Sequence, residues 1–400
     1  MKVLQLCNKS PYPPMEGGPM AMHAITEMLL NKNCSLKILA INTNKYFVNP
    51  DAIPDDYKQK TAIEFVYIDT KLKKTGALFC LLKNKSYHIE RFISNDFKQK
   101  LIETLQQNNY DIVQIESLYL TPYISLIRQY SKAKIVLRAH NVEHKIWKRI
   151  TKNTPVGLKK YYLKILTKQL KTYELNVMQT VDGIAGISEV DKVYFLSQGI
   201  QVPIETITFG IDPQEAQFHK IKHFPVHLFS IASMNWIPNL EGLQWFLDKV
   251  WIKIYAKYPD LLFYIAGRNI PYDFPKKQYP NVHVVGEVPD AKQFMIDNGI
   301  MIVPLLSGSG IRIKIIEAMM LGKPIITTSV GKEGIDAIHK ENLLIADTPD
   351  AFVSCLDYCL KQPEQMHTLG ANAVEYIRRH HNNEMIANKL MDFYQRILKQ

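Results

Sequence analysis

Short apolar runs recur along the chain, most of them followed by a stretch with helical spacing. Lys2–Cys7, residues 36–41, residues 63–68, Ile112–Ile115, residues 134–138, Gly183–Gly186 and residues 204–208 read as strands, with a helix expected over residues 21–30 after the first. The pattern restarts at residues 227–233 and runs through a helix near 240–258 to strands at 261–266, 282–285, 299–303 and 324–328. Helical patterns at 351–360, 363–380 and 384–398 close the chain. Regular alternation of strand and helix implies parallel sheets with right-handed crossovers. The chain therefore reads as α/β, with two Rossmann-like, doubly wound domains. The polar stretch between Gly210 and Phe224 marks the break, which places the domains at residues 1–210 and 225–382 around a linker at 211–224.

Composition agrees with this division. Four hundred residues exceed one ordinary core and suit two domains of about 150–200 each. With 46% hydrophobic and 22% charged residues, the chain has the make-up of a folded soluble protein. The N-terminus lacks the apolar core of a signal peptide, and no run approaches the ~18 apolar residues of a membrane span. Five scattered cysteines argue for free thiols in a reducing cytoplasm rather than a disulfide framework.

The formal charge of +11 changes the picture more. Much of the excess lies between Lys145 and Lys171, a span with no Asp or Glu, where Lys160, Lys164, Lys168 and Lys171 recur at helical spacing. A second basic and apolar patch runs from Lys71 to Arg91. Two readings stand: a solvated lysine face, or a surface that meets anionic phospholipid at the inner face of the cytoplasmic membrane. Nucleic acid is not expected as a partner, because neither span carries a recognisable binding module.

Chemistry concentrates between Ser307 and Gly334. A buried strand ends at Pro304; Gly308, Ser309 and Gly310 follow and free the backbone for close approach to a ligand; a helix is expected over 311–321 and closes at Gly322 and Pro324. The N-terminus of such a helix is an anion site. Arg312 and Lys314 add formal charge there, and Glu317 offers an acceptor pair for a diol. A diphosphate flanked by a ribose, as in a nucleotide-diphosphate sugar, fits that arrangement. Arg312 and Lys314, two residues apart on a regular helix, would diverge by about 200°, so both reach one phosphate group only if the first turn is irregular. Arg312 is the first choice, since its fork grips phosphate bidentately. Lys314 is open between phosphate contact and a surface salt bridge.

Glu317-Ala318-Met319 followed by Gly322-Lys323-Pro324 resembles the carboxy-terminal signature of glycosyltransferase family 4, the retaining enzymes of the GT-B fold. The usual motif opens with a glutamate eight positions before the second; here that position is Ser309. The resemblance implies two domains facing a cleft, a last helix (383–400) that packs back on the first domain, and a ribose contact for Glu317. It also implies sugar transfer with retention, with no cofactor and no metal. Relatives carry Arg and Lys after the first strand of the second domain, whereas Ser233–Asn239 holds no basic residue, which shifts the phosphate role toward Arg312 and Lys314.

Other positions carry weaker signals. Gly17 and Gly18, in a loop expected to precede the first helix, make either a tight turn or, by the resemblance, the place where acceptor and reacting sugar approach. His140, after the strand at 134–138, is either aimed at the donor sugar or bonded to a neighbouring carbonyl. Asn141 is a candidate cap, and His144 is expected at the surface. Arg268 faces the base or is a plain loop residue; Glu333 matches a Glu-Gly that relatives carry or is an exposed carboxylate. Glycan or lipid-linked acceptors suit the basic first half. A 2-epimerase-like enzyme on the same ligand and a non-catalytic nucleotide-sugar-binding partner are the competing functions.

Overall fold

The structure, a computed structural model, describes residues 1–212, 227–308 and 310–400. Most of the expected linker and Ser309 lie outside the described residues. The chain divides into two compact units, the first formed by residues 1–209 with 383–400 and the second by residues 210–382.

Unit 1 is built on strands β1 (Lys2–Cys7), β2 (Ser35–Thr43), β3 (Glu64–Ile68), β4 (Ile112–Ile115), β5 (Lys134–Ala139), β6 (Gly183–Gly186) and β7 (Ile204–Thr206). They form one parallel sheet in the order β3-β2-β1-β4-β5-β6-β7. Chain order reverses on either side of β1, which is where an open α/β sheet offers a crevice at its strand ends. Alternate residues face opposite sides, and both sides are apolar. Leu4, Leu6, Val113, Ile115, Ile135 and Leu137 join one core; Val3, Ile38, Ala40, Ile112 and Val136 join the other. This accounts for unbroken apolar runs instead of a polar alternation.

Six helices of this unit matter for the site and surface: α1 (Gly17–Asn31), α2 (Lys74–Leu82), α3 (Glu143–Asn153), α4 (Leu158–Met178), α5 (Glu189–Ser197) and the C-terminal helix 383–398. The last buries Leu390, Phe393, Tyr394 and Ile397 in the second core. It packs over Gly183, where an added Cβ would lie 2.3 Å from Ile397 Cδ1. Helix α1 starts at Gly17 rather than near residue 21. Pro19 sits in its first turn, where a missing N–H loses no intrahelical bond.

Unit 2 repeats the architecture with β8 (His227–Ile231), β9 (Leu262–Ala266), β10 (Val282–Gly286), β11 (Ile300–Val303), β12 (Ile325–Thr327) and β13 (Leu344–Ile345) in the parallel order β10-β9-β8-β11-β12-β13. Its core gathers Leu228, Phe246, Phe263, Ile265, Ile302 and Phe352. Strand β13 escapes sequence reading because two residues carry no period. The helix expected near 240–258 runs from Ile237 to Lys257 and widens to a π-helical turn over Phe246–Trp251. Helix α6 (Ile313–Met320) follows the glycine loop, and the short α7 (Ser329–Lys332) follows β12. Among the described residues no helix is long and apolar enough to cross a membrane.

Gly242 sets how closely helix 237–245 approaches the end of β11, since a Cβ there would lie 2.3 Å from the Pro304 carbonyl oxygen. Backbone cannot yield as a side chain does. Gly242→Ala is expected to destabilise the protein by about 1–3 kcal/mol, as overpacking does, read by thermal denaturation. An unchanged melting temperature would show that Pro304 moves freely.

Candidate functional site

In unit 2 the carboxyl ends of β8, β9 and β11 bring the candidate donor residues together. Gly308 (φ +136°) and Gly310 (φ +78°) hold backbone conformations that favour glycine. A Cβ on Gly308 would meet Arg312 Nη2 at 2.5 Å and Trp236 Cη2 at 2.9 Å, so the loop wraps closely around these two side chains. The Arg312 guanidinium stacks over the Trp236 ring at 5.1 Å, and its Nη1 donates to the Gly310 carbonyl at 2.8 Å. Stacking and the planar fork explain how a guanidinium can be buried here.

Arg312 is not helical. It is the N-cap of α6, with φ −95° and ψ 92°, and the helix begins one residue later. The divergence of a regular helix therefore does not separate Arg312 from Lys314. Lys314 Nζ donates to Asn239 Oδ1 at 2.9 Å, and Asn239 Nδ2 donates to the Ser233 carbonyl at 2.8 Å. Its contact is thus a part-buried hydrogen bond to an amide, not a surface salt bridge. Burial, with the Arg312 charge adding to it, lowers the Lys314 ammonium to about 7. The Ser233–Asn239 segment has no cation of its own, and receives both cations from α6: Arg312 on Trp236 and Lys314 on Asn239.

Glu317 lies one turn further along α6, half-buried, and its carboxylate makes no hydrogen bond among the described residues. Burial raises its carboxyl to about 7, with the Lys292 charge opposing. Arg268 follows Gly267 (φ +145°), where a Cβ would fall 1.8 Å from the Ala232 carbonyl oxygen, so the ends of β8 and β9 touch through their backbones. The Arg268 carbonyl accepts from Met234 N, and its Nε pairs with Glu287 Oε1 at 3.0 Å. Glu333 stands directly after α7.

Unit 1 assembles a second group at the ends of β1, β4 and β5. Gly17 and Gly18 form the first turn of α1 rather than a loop, and a Cβ on Gly18 would lie 2.8 Å from Lys9 Cε. The Lys9 ammonium sits over the Tyr46 ring at 4.4 Å and 3.8 Å from Glu16 Oε2. Burial lowers its pKa, against the pull of Glu16. The chain position of Lys9, before the prolines, carried no sign that it would meet Gly18.

His140 Nε2 is 2.9 Å from Oε2 of Glu116, a fully buried carboxylate. Gln5 donates to Glu116 Oε1 at 2.8 Å, and Arg138 Nε lies 3.6 Å from Oε2. Burial lowers the His140 pKa despite the Glu116 hydrogen bond, and the Arg138 and Lys9 charges push the same way. His140, Asn141 and Glu143 line a small cavity with Ser117, Leu137 and Glu174.

Two expectations fail here. Asn141 does not cap α3; its Nδ2 donates to Glu143 Oε1 at 3.3 Å. Instead the Glu174 carboxylate on α4 accepts from the backbone N–H groups of Glu143 (2.9 Å) and His144 (3.0 Å). His144 is buried, not at the surface: Nδ1 lies 2.6 Å from Glu174 Oε2 and Nε2 lies 2.7 Å from the Tyr194 hydroxyl on α5. Both ring nitrogens have partners, which permits burial. Burial and the Glu174 charge raise the neighbouring Glu143 carboxyl to about 7, although the Tyr119 hydroxyl donates to it at 2.9 Å.

Residues 225–362, which contain the whole loop–α6 site, match the family described as "Glycosyl transferases group 1". Over 97% of its length the chain is 22% identical to an "Uncharacterized 44.6 kDa protein in cps region" of Klebsiella pneumoniae, 98% of which is covered. Among solved structures it is similar to sucrose-phosphate synthase from Thermosynechococcus elongatus, with 13% identity, TM-score 0.73 and complete coverage of both chains. It is also similar to a TarM variant of S. aureus in complex with Fondaparinux, alpha-GlcNAc-glycerol and UDP, with 12% identity, TM-score 0.70, and 98% and 100% coverage. The fold is that of the GT-B glycosyltransferases.

Glu174 is expected to be structural. Glu174→Ala removes both a helix cap and the partner of a buried imidazole, and should cost about 3–5 kcal/mol, as breaking a buried pair does. Thermal melting measures it. A loss below about 1 kcal/mol would mean that Tyr194 alone suffices for His144.

Proposed function

We propose that the chain is a retaining glycosyltransferase that moves a sugar from a nucleotide-diphosphate donor to a glycan or lipid-linked acceptor in cell-surface polysaccharide synthesis. One observation carries the reading: within the stretch that matches the group 1 glycosyltransferases, a glycine loop, a buried guanidinium, a half-buried ammonium and a half-buried carboxylate gather on one short helix and its N-cap. The UDP of the TarM complex and the cps region of the Klebsiella relative's name support the donor class and the polysaccharide context.

In this reading Gly308 to Gly310 and the first N–H groups of α6 face the diphosphate, Arg312 and Lys314 neutralise it, and Glu317 accepts from the ribose hydroxyls. Arg268 and Glu333 complete the donor side. His140, Gly17 and Gly18 serve the acceptor and the reacting sugar. The bond between the sugar's anomeric carbon and the phosphate oxygen breaks while the acceptor oxygen bonds to the same face of that carbon. The acceptor proton passes to the departing phosphate oxygen, so neither a base pair nor a metal is required. Ser309, where the family's first glutamate would stand, keeps a non-catalytic nucleotide-sugar binder as the second reading. Incubation with UDP-, GDP-, dTDP- and ADP-sugars separates the two. Release of nucleoside diphosphate that depends on a glycan or lipid-linked acceptor supports transfer, whereas a thermal shift without turnover supports the binder.

Leaving-group charge develops as the glycosidic bond breaks, so Arg312 should act on turnover. Arg312→Met is expected to lower kcat by roughly 100-fold or more, as deletion of a single electrostatic donor does, and Arg312→Lys to recover only part. A rise in KM with kcat unchanged would confine Arg312 to holding the donor.

Two groups near pH 7 give the site a pH signature. A carboxyl raised to about 7 ionises as pH rises, which improves acceptance from the ribose; its contribution to folding stability falls over the same range, since the folded state holds the proton more tightly. An ammonium lowered to about 7 loses its charge over that range and with it the diphosphate attraction. The diphosphate of a nucleotide sugar has no proton to lose there. Donor affinity should therefore peak near pH 7. Glu317→Gln should abolish the rising limb and Lys314→Gln the falling one, as read by calorimetry across pH. A flat wild-type profile would overturn both assignments.

A further inference from the structure

Unit 1 presents a helix face that its packing does not use. Helix α4 buries Leu163, Leu166 and Leu170. On its outer side Leu158, Tyr161 and Ile165 are 91%, 60% and 45% exposed. They recur at i, i+3 and i+7 and so form one stripe. Lys164, Lys168 and Lys171, all exposed, form a second stripe beside it. Val156, in the turn before the helix, is 84% exposed. From residue 145 to 171 there is no acidic side chain to neutralise the lysines.

Lys160 is different: its Nζ donates to the Lys152 and Thr154 carbonyls at 3.0 and 2.8 Å, which ties it to the end of α3. Helix α2 shares an apolar cluster with α4 through Cys80, Leu163 and Leu166. It has the same outward chemistry, with Leu78, Phe79 and Leu82 exposed and Lys83 Nζ over the Phe79 ring at 4.3 Å.

A single exposed leucine needs no explanation. A stripe of them beside lysines, in a stretch of chain without an acidic residue, has the chemistry of a helix lying in a lipid interface. The apolar chains enter the boundary between headgroups and acyl chains, while the ammonium groups extend back to the phosphates. We propose that the outer face of α4 docks on an anionic phospholipid bilayer. The proposal shares no residue with the transferase reading and stands or falls separately.

Co-sedimentation with phosphatidylcholine vesicles, with and without phosphatidylglycerol, tests it. Wild type should bind only the anionic vesicles, and added salt should weaken binding. Replacing Lys164, Lys168 and Lys171 by Gln should weaken it on the order of 100-fold, from the contribution of each basic residue near the surface. Leu158→Ser with Ile165→Ser should also weaken it although no charge changes. These side chains are exposed, so wild-type melting curves are expected and serve as the folding control. As a second readout, the emission of Leu158→Trp should shift to the blue on anionic vesicles. Equal binding to neutral vesicles, no binding, or wild-type binding by the lysine variant would overturn the proposal. Salt-sensitive binding indifferent to Leu158 and Ile165, with no emission shift, would overturn it in favour of a plain charge effect or an acidic protein partner.

Discussion

A parallel sheet covered on both faces can meet a polar ligand only at the ends of its strands, and both units are built on that constraint. Their strands are apolar on each side, so polar residues inside a strand have to satisfy one another. In unit 1 this produces the chain of contacts from Thr26 through Gln5 and Glu116 to Arg138, with Gln114 and Tyr394 attached. An isolated carboxylate at the position of Glu116 would be costly to bury. Surrounded by Gln5, Arg138 and His140, it becomes the node that orients the histidine at the strand end.

Unit 2 meets the same constraint by close approach at glycines, to backbone at Gly242 and Gly267 and to side chains at Gly308. Gly242 against Pro304, Gly267 against Ala232 and Gly308 against Trp236 are three places where a Cβ does not fit. Together they draw the ends of β8, β9 and β11 and the start of α6 into one region. The cations are then held by neutral partners: an indole face for Arg312 and an amide oxygen for Lys314. The amide oxygen holds the Lys314 ammonium without carrying a charge of its own. A carboxylate in the place of Asn239 would have taken up the Lys314 charge itself.

The two units also differ in what their surfaces do. The glycine loop, Arg312 and Lys314 belong to unit 2, while the acid-free lysine stretch from residue 145 to 171 belongs to unit 1. The net charge of the chain therefore says little about the anion site. Arg312 and Lys314 are two of its 49 basic residues, set apart by desolvation rather than by number.

Much was legible from sequence where the signal is local. Apolar runs located most strands, because strands buried on both faces have no polar partner to interrupt them. The Gly308–Gly310 loop and the charged start of α6 could be read because their geometry is encoded within a few residues. What sequence could not supply is which distant side chains meet. Glu174 captures His144 from thirty positions along the chain, so an apparent surface histidine is buried. Glu116 is brought to His140 and Asn239 to Lys314 only by the crossovers that lay strands side by side, while Lys9 meets Gly18 through the path of the loop between β1 and α1. Local propensity decides what a segment becomes; the pairing of desolvated polar groups depends on strand order, and only the tertiary structure decides that.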